Sequence, residues 1–140
     1  AHGNPLVARF NWLPGDQRLL TAQALFPDAK AWPALSAFVR EQLHAALSQR
    51  ADADEMPPTE REAFVRNAGR MIDEGTEPEA SNFAQFEPVL GPDARIQALR
   101  FVFPPYQVGP YADGTQTVDV PASELAPLLA PAYRDLFAGG

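Results

Sequence analysis

Alternation of apolar and polar residues, the period of a β-strand, occurs near the start of the chain and again in its second half. The strands that it predicts are separated by turns rich in Pro, Gly and Asp and lie at residues 6–12, 18–22, 82–90, 94–103 and 115–120. The first two form a hairpin. The fourth is apolar on both faces, so it is expected at the centre of the sheet. Phe83 and Phe86 are three residues apart, which predicts an irregularity in the third strand.

Helical spacing of apolar residues marks two long segments between these strands. The longer one is predicted over residues 32–50, and its apolar stripe consists of Trp32, Leu35, Val39, Leu43 and Ala46. A second helix is expected behind Thr59, which forms a capping-box sequence with Glu62. Gly75 is then a natural residue just beyond the helix end.

Short helical turns, interrupted by proline, follow the last predicted strand at residues 125–129 and 133–137. The order of elements predicts one α+β domain spanning residues 1–140. We expect an antiparallel sheet of about five strands, two longer helices packed on one of its faces and a short C-terminal helix.

Composition narrows the function classes. The net charge of −7 repels phosphate backbones, so no nucleic-acid partner is predicted, and no apolar run is long enough to span a membrane. The chain has no cysteine, which excludes thiolate metal ligands and a thiol nucleophile. His44 is interpreted as a solvated residue on a helix face, and the acids at 52–55 as a solvated linker. We therefore predict no catalytic residue, no cofactor and no metal site.

Residues 101–114, which read FVFPPYQVGPYADG, are the most constrained stretch of the chain. In a purely structural interpretation the prolines stop a strand, and Gly109 and Gly114 allow positive φ. In a functional interpretation Tyr106, Tyr111 and Asp113 are binding residues on a rigid recognition loop. Residue chemistry favours the structural interpretation and leaves the functional one open.

This block, with Val-Asp-Val-Pro and a Leu-x-x-Leu-Leu turn after it, resembles the RsiV C-terminal-type domain. That domain is shared by RsiV-like anti-sigma factors, PdaC-like peptidoglycan deacetylases and bacterial envelope lipoproteins. The resemblance covers nearly the whole chain, although Ala24 replaces an acid of the family's Asp-Leu-Phe signature. Its structural-motif positions are Gly109, Pro110, Gly114, Phe26, Trp32 and Phe83.

The resemblance implies a non-catalytic, extracytoplasmic binding or sensing domain of the bacterial cell envelope. It implies a periplasmic or other extracytoplasmic location, with lipid anchoring through a segment outside this chain as an option. An upstream N-terminal module is expected, because Ala1-His2-Gly3 resembles the end of a segment that lies inside longer relatives.

Partners expected from the resemblance are an envelope protein, a lysozyme-like protein or a peptidoglycan component. Two alternatives stay open. One is a glycan-acting enzyme that uses paired carboxylates. The other is a purely structural half of a larger envelope lipoprotein, whose incomplete sheet edge would allow oligomers to form.

Overall fold

The computed structural model describes residues 21–110 and 113–139 of the chain. In chain order its elements are α1 (Ala22–Leu25), α2 (Ala31–Ala53), α3 (Pro58–Gly75), a 3-10 helix (Ala80–Phe83), β1 (Phe86–Leu90), β2 (Ile96–Phe103), β3 (Gln116–Pro121), α4 (Ala122–Leu125) and two further 3-10 helices (Ala126–Leu128 and Pro131–Leu136). The α+β class predicted from the sequence is therefore confirmed. The predicted C-terminal helix is instead the short α4 followed by 3-10 turns, because prolines interrupt the hydrogen-bonding pattern there.

The sheet of the described residues has three antiparallel strands in the order β1-β2-β3. Phe101 of β2 lies between Phe86 of β1 and Val118 of β3. The predicted count of about five strands is not supported. The hairpin at residues 6–22 lies outside the described residues except for its end, where Thr21 caps α1 and Ala22 begins it.

Strand β2 has buried side chains on both of its faces, as its apolar pattern predicts. Leu99, Phe101 and Phe103 are fully buried on one face, and Ile96 is buried on the other. Arg100, on the same face as Ile96, is only half-buried, and its guanidinium donates to the carboxylate of Asp119 at 2.7 and 3.1 Å. This hydrogen bond and the attraction of the carboxylate raise the pKa of Arg100. This ion pair lies on the exposed part of the sheet.

The 3-10 helix before β1 explains the spacing of two phenylalanines. Phe83 ends this helix and Phe86 begins β1, so residues 82–85 are not part of a regular strand. The predicted irregularity is present, but it is a 3-10 turn and not a bulge. The turn directs the fully buried Phe83 ring against Phe101 and Phe103, at centroid distances of 5.8 and 6.3 Å. Such edge-to-face pairs stabilise a core beyond their buried area.

Helix α2 follows its predicted apolar stripe closely. Leu35, Val39 and Leu43 are buried in the same core as the sheet residues. The next core residue is Leu47, whereas Ala46 is exposed, because four residues return a helix to the same face more closely than three. The helix packs against both α3 and β3.

Helix α3 does not begin with the predicted capping box. Its N-cap is Pro57, no side chain caps it, and Pro58 is its first residue. Thr59 is therefore inside the first turn and exposed. Proline is favoured at the first helical position, because its fixed φ suits the helix and its missing N–H needs no partner there.

Polar side chains join α2 to the C-terminal end of α3. The Arg40 guanidinium donates to the carbonyl oxygen of Asp73 at 2.8 Å and to the hydroxyl of Thr76 at 3.0 Å. Ser36, which is buried, donates to the Thr76 carbonyl oxygen at 2.5 Å. His44 lies on a partly exposed face of α2, as predicted, and is in addition hydrogen-bonded to the Asp73 carboxylate at 2.9 Å. These contacts satisfy polar groups at the helix end and counterbalance its acidic residues.

Gly75 ends α3 for a reason that the sequence did not indicate. It is the last helical residue, and Thr76 follows it with a φ of −118°, so no left-handed cap is present. A Cβ atom at Gly75 would lie 1.9 Å from the carbonyl oxygen of Gln107. Glycine is needed here because two backbone segments touch.

We expect Gly75→Ala to lower the free energy of unfolding by about 1–2 kcal/mol, since overpacking against a backbone carbonyl outweighs the gain in helix propensity. Gly69→Ala is the matched control in the same helix. Its Cβ would meet only the end of the His44 ring, at 3.0 Å. The control should remain within about 1 kcal/mol of the unmutated protein. Urea unfolding followed by circular dichroism measures both, and equal effects would contradict the assigned role of Gly75.

Candidate functional site

The segment at residues 104–114, here called the tyrosine loop, leaves β2 through a tight turn. The Gln107 N–H donates to the carbonyl oxygen of Pro104 at 3.1 Å, which closes a four-residue β-turn. Pro105 is its second residue, and Tyr106 is its third with a φ of +79°. Because proline holds φ near −65°, only the type II turn fits this pair of residues. Type II turns normally carry glycine at the third position.

The backbone of Tyr106 is strained at this position, and its side chain is highly exposed. The left-handed conformation costs a non-glycine residue about 1–2 kcal/mol. It is supported by the Tyr106 N–H, which donates to the carbonyl oxygen of Gly109 at 3.1 Å, a bond worth about 0.5–1.5 kcal/mol. The side chain is 69% exposed. A residue in a left-handed conformation with an exposed aromatic ring is a candidate for function.

Gln107 fixes the exit of the turn to the rest of the domain. Its side-chain amide nitrogen donates to the carbonyl oxygens of Gly75 at 3.1 Å and Asn82 at 3.0 Å. The next residue, Val108, is buried in the core. The tyrosine loop is therefore fastened to the end of α3 and to the 3-10 helix. The sequence did not point to Gln107, because a lone glutamine carries no positional signal.

Asp113 fastens the other end of the loop. Its carboxylate accepts from the Arg50 guanidinium of α2 at 3.2 Å and is only 24% exposed. Arg50 also lies over the ring of Phe64, 5.5 Å from its centroid, and so connects α2, α3 and the loop. The position of Asp113 suits an anchor better than a partner contact.

The two glycines of the loop have different roles. Gly114 has a φ of +69° and open space around it, as the structural interpretation of the sequence requires. Gly109 is not among the glycines with positive φ. A Cβ atom there would lie 2.5 Å from the side-chain nitrogen of Gln116 and 3.2 Å from the Asp113 carboxylate. Gly109 therefore lets two polar side chains pack closely against the backbone of the loop.

The other sequence-predicted positions divide between the surface and the core. Pro110 is exposed, and its carbonyl oxygen accepts from the Asp113 N–H at 3.0 Å. Tyr111 lies outside the described residues. Phe26 and Trp32 pack edge to face at 6.0 Å, and Trp32 stacks on Phe83 at 6.4 Å. The structure thus separates an exposed loop tip from an aromatic cluster deep in the fold.

Three cavities of the described residues show what chemistry the surface can support. One of about 20 Å³, between α2, α3 and the loop, has room for a single water and contains Asp113 as its only carboxylate. An open groove of about 550 Å³ along α2 and α3 contains Glu62, and one of about 330 Å³ near Phe137 contains no acid. Paired-carboxylate hydrolysis needs two acids facing one cleft, and none of these three provides them.

Metal-ligand clusters and membrane-spanning helices are both absent from the described residues. These residues contain no group of three His, Asp or Glu side chains that could hold a metal ion. No helix among them is both long enough and apolar enough to span a bilayer.

We expect the strain at Tyr106 to appear as a stability difference between two small residues. Tyr106→Gly removes the ring and the strain, whereas Tyr106→Ala removes the ring and keeps a Cβ atom at positive φ. The glycine variant should be more stable than the alanine variant by about 1 kcal/mol. Thermal and urea unfolding measure the difference, and an alanine variant as stable as the glycine one would show that the turn is unstrained.

We expect Gln107→Ala to destabilise the domain by about 1–3 kcal/mol, because two carbonyl oxygens lose their donor. Gln97→Ala, at an exposed position of β2, is the matched control and should change stability by less than about 0.5 kcal/mol. The same unfolding measurements apply. A Gln107 variant that unfolds with the control would remove this residue from the set of anchors.

Comparison with known proteins places the chain in a family. A family model described as a protein of unknown function (DUF3298) matches residues 23–123, which is well over half of the chain and contains the whole tyrosine loop. No curated protein and no solved structure gives a significant match. The chain therefore belongs to the family of proteins of unknown function designated DUF3298.

Proposed function

We propose that this protein is a non-catalytic, extracytoplasmic binding or sensing domain of the bacterial cell envelope and that Tyr106 contacts its partner. The observation that carries the proposal is the exposed ring of Tyr106 at a turn position where glycine would fold at lower cost. Exposed aromatic residues held in one place are common centres of binding energy. The anchors at Gln107 and Asp113 supply the required rigidity.

The resemblance to the RsiV C-terminal-type domain supplies the biological setting of the proposal. RsiV-like anti-sigma factors and envelope lipoproteins carry such domains outside the cytoplasm. We extend this location to the present chain as periplasmic or otherwise extracytoplasmic. A lipid anchor, if present, would belong to a segment that is not in this chain.

Charge favours a basic protein as the partner over a neutral glycan. The net charge of −7 attracts a basic surface at long range, and this attraction weakens as salt screens it. A lysozyme-like protein has this chemistry and fits one branch of the resemblance. Peptidoglycan is the second candidate, and binding to it should depend less on salt.

The two remaining alternatives receive less support from the molecule. A glycan-acting enzyme would need a cleft with two acids, and the three cavities contain at most one each. A purely structural role is favoured less, because glycine would occupy the third position of this turn at lower cost than tyrosine.

We expect binding to basic lysozyme, measured by surface plasmon resonance at low salt, to weaken at least about tenfold in both Tyr106→Gly and Tyr106→Ala. Equal weakening in the two variants would show that binding depends on the ring, because both lack the ring but they differ in stability. Tyr106→Phe keeps the ring and should stay within a fewfold of the unmutated protein. Sedimentation with peptidoglycan sacculi, using the same four proteins, tests the second candidate.

Two results would count against the proposal in different ways. Unchanged binding by folded glycine and alanine variants would remove Tyr106 from the contact surface. Failure of the unmutated protein to bind either lysozyme or sacculi would reject both named partners.

A further inference from the structure

We propose that the turn at residues 104–107 is a two-state element that interconverts between type II and type I by rotation of the Pro105–Tyr106 peptide plane. The two turn types share nearly the same Cα path. They differ by about 150° in ψ of Pro105 and about 170° in φ of Tyr106. In the type I form Tyr106 would have a negative φ, which any residue adopts without strain.

A hydrogen bond of the Tyr106 N–H differs between the two forms. The Gln107 N–H to Pro104 bond closes the turn in both types, so it survives the rotation. The bond from the Tyr106 N–H to the carbonyl oxygen of Gly109 does not survive, because the N–H then points to the opposite side of the turn. Type II is thus supported by a bond and opposed by strain, and the two terms have opposite signs and similar sizes.

The surroundings confine the motion to this single peptide. Pro104 and Pro105 have no N–H and a fixed φ, which limits the entry to the turn. Gln107 is attached to Gly75 and Asn82, which holds the exit. The rotation therefore need not disturb the core.

Rotation of the peptide exchanges the backbone groups that the turn presents on its two sides. The carbonyl oxygen of Pro105 and the N–H of Tyr106 swap sides, while the Cα and Cβ atoms of Tyr106 stay nearly in place and the ring keeps its position. For a partner the consequence rests on the proposed function: one that contacts the ring and accepts from the N–H or donates to the carbonyl oxygen on one side would shift the population toward that form. The rotation itself is independent of any partner.

The nuclear Overhauser effect between the Pro105 Hα and the Tyr106 amide proton tests the proposal on the full chain without ligand. This distance depends on ψ of Pro105 and is short in type II and long in type I. Four proteins form the series: the unmutated chain, Tyr106→Phe, Tyr106→Gly and Tyr106→Val. Glycine favours positive φ, and a β-branched valine strongly disfavours it.

We expect the nuclear Overhauser effect between the Pro105 Hα and the amide proton of residue 106 to be strongest in the glycine variant. It should be intermediate and equal in the unmutated chain and the phenylalanine variant, and weakest in the valine variant. If the two forms exchange fast on the chemical-shift scale, each intensity reports their population-weighted average. If they exchange slowly, two separate sets of peaks report the populations directly. Equal intensities and a single peak set in all four proteins would overturn the proposal. Unchanged amide shifts in β2 confirm that each variant is folded.

Discussion

The contact between Gly75 and Gln107 is the constraint on which the rest of the site depends. It brings the backbone at the end of α3 against the backbone of the tyrosine loop, at a distance that admits no side chain. The Gln107 side-chain amide then donates to two carbonyl oxygens, those of Gly75 and Asn82. Because the exit of the loop is fixed in this way, the turn before it can carry an unfavourable conformation without loss of the surrounding fold.

The sequence predicted the long elements because their signals are periodic and local. Leu35, Val39 and Leu43 repeat at helical spacing and are buried together, and the two apolar faces of β2 indicated a covered strand. The predicted capping box was wrong because the helix begins at Pro58, one residue before Thr59, and proline is favoured at the first helical position. Gly75 was misjudged because a glycine that permits positive φ and a glycine that permits close packing look identical in sequence.

The candidate site was predictable in composition but not in geometry. The prolines and glycines indicated a constrained loop, yet nothing near Tyr106 in sequence predicts positive φ there. That conformation is supported by an acceptor three residues later, the carbonyl oxygen of Gly109, against which the Gln116 and Asp113 side chains lie. Asp113, predicted as a binding residue, also pairs with Arg50, and the sequence could not indicate this contact because the two residues are 63 positions apart.

The C-terminal segment shows that the folded domain extends beyond the end of the family match. The family match stops at residue 123, but Leu125, Leu129 and Phe137 are buried in the same core as the sheet. The Ala138 N–H donates to the carbonyl oxygen of Ile96 at 2.8 Å, so an isolated parallel bridge joins this segment to the start of β2. A fragment cut at the family boundary would expose aromatic core surface to water, and an excised domain needs the chain at least to residue 138.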